Sequence, residues 1–142
     1  MNREIEFRGK RVDNGEWVYG NYHANEAKDT HFILIPYILK WHPNAPEITC
    51  VGYNVIPSTV GQYTGRKDTH ENKLFGGDIV SGKWPYASKG VIVWDNARCG
   101  FFIKPMNAMG KASYDPYYKM NSVKNILQIG TIHDPKEQDD PR

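Results

Sequence analysis

Two cysteines, Cys50 and Cys99, are all that the 142 residues contain, and they stand far apart in the chain. A disulfide framework needs more, so covalent staples do not carry this fold. Nor is there a Cys-x2-Cys or His-x3-His grouping: His23, His31, His42, His70 and His133 are scattered, which leaves no local zinc motif. No motif surrounds either cysteine to suggest a Cys–His nucleophile. Long apolar runs are missing too. The longest, Phe32 to Leu39, is eight residues and is interrupted by Pro36, far short of a membrane span. The start, Met1-Asn2-Arg3-Glu4, has no apolar signal core. Strong charge of one sign is absent as well, with a net charge of +2. The last nine residues hold four acidic and two basic groups, leaving a mildly basic body at +4. A dedicated nucleic-acid binder carries a stronger basic face, so nucleic acid is allowed and not demanded. The chain therefore reads as soluble and cytoplasmic, with no membrane contact, no metal and no cofactor expected.

What is abundant is turn and ring chemistry. Thirteen Gly and nine Pro suit many short strands better than long helices, and aromatics reach 13%. Ile5-Glu6-Phe7-Arg8 alternates, Asp13-Asn14-Gly15 is a turn signal, and Trp17 to Tyr22 is aromatic and β-branched, which together predict a hairpin with positive φ at Gly15. His23 to Thr30 reads as a loop, His31 to Ile35 as a strand buried on both faces, Trp41 to Pro46 as a loop, and Glu47 to Val55 as a strand. Pro57 ends that strand, and the hydroxyls of Ser58 and Thr59 suit one tight turn. Gly61 to Thr64 restarts an extended run, and Gly65 opens a long hairpin loop. Past Gly76-Gly77-Asp78, Ile79-Val80 starts a strand, Ser81 to Gly90 reads as a loop, and Val91–Trp94 and Phe101–Ile103 form a hairpin with Gly100 at a bulge or left-handed position. Pro105 to Tyr118 reads as irregular, Ser122 to Leu127 as one short helical turn, and Ile126 to Ile132 as the last strand. The expected fold is mostly β: a coiled, barrel-like sheet with an SH3-like portion over Leu74 to Lys104 and little helix. One domain spans residues 1–133, followed by a flexible acidic tail, 134–142.

Candidate functional residues fall in two groups. Gly65 to Lys73 holds no hydrophobic residue and presents Arg66, Lys67, Asp68, His70, Glu71 and Lys73. Solvation alone explains such a hairpin tip; a partner-binding tip is the functional alternative, and its mixed signs argue against a phosphate cradle. Gln62 and Tyr63 precede it. Asp78 suits a turn-closing acceptor better than a general base, because no second carboxylate stands at a partnering spacing. Gly76-Gly77 lacks the Lys-Ser/Thr of a P-loop. The second group is aromatic: Trp84, Tyr86, Tyr114, Tyr117 and Tyr118 lie in Pro- and Gly-bearing segments that should run outside, as does Trp41, where they suit a protein interface or base stacking; core rings closing barrel ends explain them as well. Eighteen rings exceed what a small barrel readily encloses, which points to a homo-oligomer with an interface at Trp84 and Tyr86 or at Tyr114 to Tyr118.

Three stretches also resemble the YopX family of bacterial and phage proteins. They are Val60-Gly61-Gln62-Tyr63-Thr64-Gly65 with Lys67-Asp68 and Gly77-Asp78-Ile79-Val80, the opening Ile5 to Gly9 with Gly15 to Gly20, and the closing Ile129 to Asp134. The likeness spans nearly the full length. The chain departs from the family pattern at Thr69-His70-Glu71-Asn72, where an Asn-Gly-type turn would stand, which leaves that turn's geometry open. The resemblance implies a phage or prophage origin and self-assembly, and supplies no catalytic residues to transfer. The leading expectation is a non-enzymatic, oligomeric interaction module with an unidentified phage or host protein partner. The second is nucleic-acid binding through Arg66, Lys67 and Lys73 with nearby aromatics. The third is a small hydrolase using Asp78 and a histidine.

Overall fold

The structure is a computed structural model that describes residues 2–84, 87–106 and 117–135. It is 63% strand and 7% helical, so the chain is mostly β with little helix. The strands form two open antiparallel sheets and no closed barrel. One has the order β4-β3-β2-β1-β5-β6 and the other β10-β9-β8-β7-β11. The chain divides into two compact units, Met1–Tyr63 and Thr64–Arg142.

In the first unit, β1 (Phe7–Lys10) and β2 (Trp17–Asn25) form the opening hairpin, with Phe7 opposite Gly20 and Lys10 opposite Trp17. Its turn works as the sequence suggests: Gly15 sits at φ +71°, and the Asn14 side-chain oxygen accepts the Glu16 N–H at 2.9 Å. β2 runs on to Asn25, a 3₁₀ turn covers Glu26–Lys28, and β3 (Thr30–Lys40) comes next. The loop expected over His23 to Thr30 is therefore shorter, because cross-strand pairing with β3 holds His23 to Asn25 extended. Asp29 absorbs the reversal at φ +48°, a conformation that short polar side chains tolerate. β4 (Glu47–Asn54) pairs with β3 from Phe32–Asn54 to Lys40–Glu47, and an isolated bridge joins Arg11 to Val55. The 3₁₀ turn Pro57–Thr59 is closed by Thr59, whose hydroxyl donates to the Ile56 carbonyl at 2.6 Å and accepts the Lys10 N–H at 2.9 Å. β5 (Gly61–Lys67) then pairs Gln62 with Phe7 and Gly61 with Arg8. Ile33, Val55 and Tyr63 are the buried hydrophobics of this unit. The strand expected to be buried on both faces is not so: within His31–Ile35 only Ile33 is fully covered, because β2 and β4 pair with β3 in the plane of the sheet and in-plane pairing covers neither face.

The second unit takes the rest of β5, then β6 (Lys73–Phe75), β7 (Asp78–Trp84), β8 (Ala87–Asp95), β9 (Gly100–Met106), β10 (Tyr118–Lys119) and β11 (Lys124–Thr131). The strand of β5 runs through Gly65, which keeps a positive φ of 88°, and the hairpin loop opens after Lys67. Its core is Leu74, Val80, Ile92, Ile103, Val123 and Ile126, with Trp84, Phe101, Tyr118 and Met120 packed against it. Each fully buried aliphatic side chain contributes about 1.5–3 kcal/mol, so this cluster is the unit's main source of stability. Three further expectations change here. Within the loop expected over Ser81 to Gly90, Ser81–Trp84 and Ala87–Gly90 are strand, because Val80–Gly90 and Ser81–Lys89 pair across β7 and β8. The helical turn expected over Ser122 to Leu127 is a 3₁₀ turn at Met120–Ser122, and the Lys124–Lys83 and Leu127–Ser81 pairs draw the residues from Lys124 onward into β11. The left-handed residue of the β8–β9 turn is Cys99 at φ +52°, not Gly100.

Gly90 is required for a steric reason. A Cβ there would lie 2.4 Å from a methyl of Ile103 and 2.9 Å from the Lys104 carbonyl, both inside the β8–β9 pairing. At Gly100 the nearest atom stands at an ordinary 3.5 Å. Gly90→Ala should therefore cost about 1–3 kcal/mol by overpacking, whereas Gly100→Ala should stay within about 0.5 kcal/mol. Denaturant titration of both variants followed by tryptophan fluorescence checks this, and equal losses would contradict the steric argument.

Candidate functional site

The polar hairpin between β5 and β6 is organised by one carboxylate. Asp68 is 4% exposed although every residue around it in sequence is polar. Its Oδ1 accepts the N–H groups of His70 and Asn72, each at 2.9 Å. Its Oδ2 accepts the Gln128 N–H at 3.0 Å and the Asn72 side-chain amide at 3.2 Å. The Thr69 N–H reaches the Ile126 carbonyl at 3.0 Å, so the tip is stitched to β11 twice. This also settles the turn geometry: Glu71 takes the left-handed position at φ +66°, where the Asn-Gly pattern would have placed glycine. Around it, Arg66 donates through its guanidinium to the Val123 carbonyl at 3.0 Å, and exposed Lys67 lies 3.9 Å from Glu71. Lys73 is half-buried at the start of β6. Gln62 is half-buried opposite Phe7, and Tyr63 is buried with its N–H on the Glu6 carbonyl at 2.7 Å.

Asp78 is wholly buried. Its Oδ2 accepts the Phe75 N–H at 2.8 Å, closing the Gly76-Gly77 turn, and its Oδ1 accepts the Gln128 side-chain amide at 3.0 Å. Gln128 thus meets Asp68 with its backbone and Asp78 with its side chain. A carboxylate sealed from solvent and committed to a turn amide is a turn-holding group. Among the described residues no three His, Cys, Asp or Glu side chains gather as a metal site. His31 meets Tyr22 and the exposed Asp29, His133 is half-buried, and His23, His42 and His70 lie on the surface. The closing turn is held by Asp134, which accepts the Thr131 N–H at 2.9 Å. The tail beyond, residues 136–142, lies outside the described residues.

The aromatic candidates separate. Trp84 is half-buried on the second unit's core, its ring centroid 6.3 Å from that of Tyr118. Tyr117 receives the Arg98 guanidinium at 5.1 Å and the Lys104 ammonium at 5.7 Å. Tyr86 and Tyr114 lie outside the described residues. The apolar surface that sequence reasoning missed is elsewhere. Beyond Leu34, β3 and β4 continue as a ribbon with no third strand among the described residues. Ile35, Tyr37, Ile38, Leu39, Ile48 and Val51 are exposed on it, and Trp41 at its tip is 69% exposed. In a ribbon, successive side chains point to opposite faces, so both faces of this arm are apolar. The signal was the run Phe32–Leu39 itself, which a periodicity argument assigns to a core because a continuous apolar strand is usually covered on both sides.

These observations describe a mostly β protein of open antiparallel sheets whose conspicuous carboxylates hold turns and whose free apolar surface is a hairpin arm. The chain belongs to the YopX protein family, which matches residues 6–137. No curated protein matches it. Among solved structures it is similar to protein EF1440 from Enterococcus faecalis, with a TM-score of 0.59 and 19% identity over 96% of this chain and 98% of that one. That likeness concerns the fold.

The two carboxylates can be tested separately. For Asp68, burial pushes the pKa up, but the N–H groups of Gln128, Asn72 and His70 and the Asn72 amide outweigh it and hold the carboxyl below its ordinary value. Its folded pKa is thus depressed, so its stabilisation is present above the unfolded pKa of about 3.9 and is lost as pH falls through the folded value. Asp68→Asn should cost about 1–3 kcal/mol at neutral pH and flatten the acid limb of stability below about pH 4. Denaturant midpoints across pH 2–7, in the range where carboxylates titrate, check it; an unchanged acid limb would contradict the assignment. For Asp78 and Gln128, the Ala variants and their double should show a coupling of about 0.5–3 kcal/mol, as groups in one hydrogen-bond network do. Strictly additive losses would mean that the Gln128 side chain does not support Asp78.

Proposed function

We propose that the protein is a non-enzymatic accessory protein of a phage or prophage that works in the cytoplasm as an oligomeric interaction module. The observation that carries this reading is the exposed two-faced arm formed by β3 and β4. A contiguous apolar patch of this kind is costly to leave in water and normally marks an interaction surface. An isolated two-stranded ribbon is also only marginally stable in water, which gives the arm a second reason to be covered. Membership of the YopX family supports the phage setting and assigns no chemistry.

The alternatives draw less support. Of the basic trio that would bind nucleic acid, Arg66 is tied to the Val123 carbonyl, Lys67 lies near Glu71 and Lys73 is half-buried. For a hydrolase, Asp78 would have to reach a substrate from a site with no solvent exposure. No helix among the described residues is long and apolar enough to cross a membrane.

Size exclusion with light scattering tests the reading. The expected mass is a multiple of the 16.3 kDa chain at micromolar concentrations. Retention of the single-chain mass at every concentration would refute self-assembly. A single-chain mass that rises only on adding single-stranded DNA, with binding that weakens steeply in salt, would favour the nucleic-acid alternative.

A further inference from the structure

The arm has two edges, and the backbone hydrogen bonds show that they are not equivalent. The Val55 N–H donates to the His31 carbonyl at 2.9 Å, so Val55 points its polar backbone groups toward β3. The Asn54 carbonyl accepts the Val12 N–H, on the opposite side. Because these groups alternate along a strand, Tyr53, Val51 and Thr49 also face β3, and Gly52, Cys50 and Ile48 face outward. β4 ends the sheet order, so among the described residues those three present an unpaired ladder. On the other edge, beyond its pairing with β2, the outward positions of β3 are Pro36 and Ile38. Pro36 has no N–H, which blocks strand addition there. It faces away from β4, so it breaks no bond inside the arm.

We propose that β4 pairs antiparallel with β4 of a second copy of this chain about a two-fold axis at Cys50, joining the two arms into one continuous sheet. The claim rests on the interaction-module reading and adds the surface, the occupant and the register. The register is set by which backbone groups are free. With Cys50 opposite Cys50 and Ile48 opposite Gly52, all three outward residues of each chain are used, giving about six ladder bonds. A shift one way opposes Gly52 with Pro46, which has no N–H. A shift the other way opposes Ile48 with Asn54, whose carbonyl is already occupied by Val12. The chosen register also places Glu47 opposite Tyr53 of the partner subunit. There the Arg11 guanidinium lies 4.6 Å from the centre of the Tyr53 ring and is already paired with Asp13, so Glu47 adds a second acidic neighbour and the choice of register rests on the backbone groups. It carries the tip around Trp41 toward Val12 and Ile56 of the partner subunit, which are among the exposed apolar residues of this unit. One patch is therefore complementary to itself, as a two-fold interface requires.

Cys50 provides the readout, because it is exposed and carries a free thiol. Directly opposed residues of a hydrogen-bonded antiparallel pair lie about 5.5 Å apart at Cα, within the range a disulfide spans. In a Cys99→Ser background, copper-phenanthroline and oxygen should oxidise the two Cys50 thiols to a disulfide and give a band at twice the chain mass under non-reducing conditions. A thiol at position 49 (Thr49→Cys with Cys50→Ser and Cys99→Ser) lies diagonally from its copy, about 8 Å away, and should link at least tenfold more slowly. Equal rates at the two positions would overturn the register. Cys50→Pro removes the central donor and should weaken dimerisation at least tenfold. Should that variant unfold by circular dichroism, Cys50→Lys opposes like charges and should weaken pairing roughly fivefold, with mixed Cys50→Lys and Cys50→Glu chains restoring it. An oligomer that forms no Cys50 link and resists these substitutions would overturn β4 pairing while leaving the interaction-module reading in place. A chain that keeps its single mass at every concentration would overturn both.

Discussion

A buried carboxylate surrounded by backbone N–H groups holds the polar hairpin of the second unit in shape. Burying the Asp68 carboxylate without partners would cost several kcal/mol, so the side chain can sit there only while the turn around His70 and Asn72 and the β11 backbone at Gln128 stay in place. The dependence runs both ways. With no Asn-Gly pair, this hairpin puts Glu71 in a left-handed conformation that a residue bearing a Cβ adopts at a cost, and the Asp68 bonds on either side offset that cost. Gln128 passes the constraint on, since its amide satisfies the wholly buried Asp78, which in turn holds the β6–β7 turn through Phe75. Residues 50 and 60 positions apart in sequence are thereby tied by two short contacts.

That arrangement gives Asp68 a structural role within the charged loop. A polar run of nine residues offers no periodicity, so nothing in it distinguishes a solvated tip from a folded one. The turn-closing role of Asp78 was legible, because Gly-Gly-Asp before a strand is local chemistry. The burial of Asp68 was not, because its decisive partner is the backbone of Gln128, which no side-chain pattern reveals. Gly15 and the hydroxyl of Thr59 behaved as local rules require. Cys99 did not: the left-handed position fell one residue before the glycine that seemed made for it. There Asp95 fixes the turn from its N-terminal side by accepting the Ala97 N–H at 3.0 Å and pairing with Arg98.

Strand existence was read more securely than strand extent. Alternating runs such as Ile5 to Arg8 and apolar runs such as Val91 to Trp94 announce themselves. Weakly patterned stretches such as His23 to Asn25 and Ser81 to Lys83 are strand through cross-strand pairing, which is non-local. The same limit explains the misreading of His31–Ile35. Hydrophobicity in sequence says that a strand favours cover, and not whether its own chain supplies that cover.

The first unit turns that distinction into an energetic argument. Its Met1–Tyr63 segment has three fully buried hydrophobic side chains, Ile33, Val55 and Tyr63. Three such side chains make a small core for a segment of this length. Domains of this size commonly make up the difference with disulfides, metals or association. Both cysteines are free and exposed, and no metal cluster occurs among the described residues. The unit keeps exposed apolar area on an arm whose one edge is blocked by Pro36 and whose other edge, along β4, has no further strand among the described residues. Pro36 would be an odd choice if the run Phe32–Leu39 were meant only for a core, since a proline in a central strand forfeits a ladder bond. In the proposed β4 pairing it breaks no bond, and it blocks strand addition along the other edge.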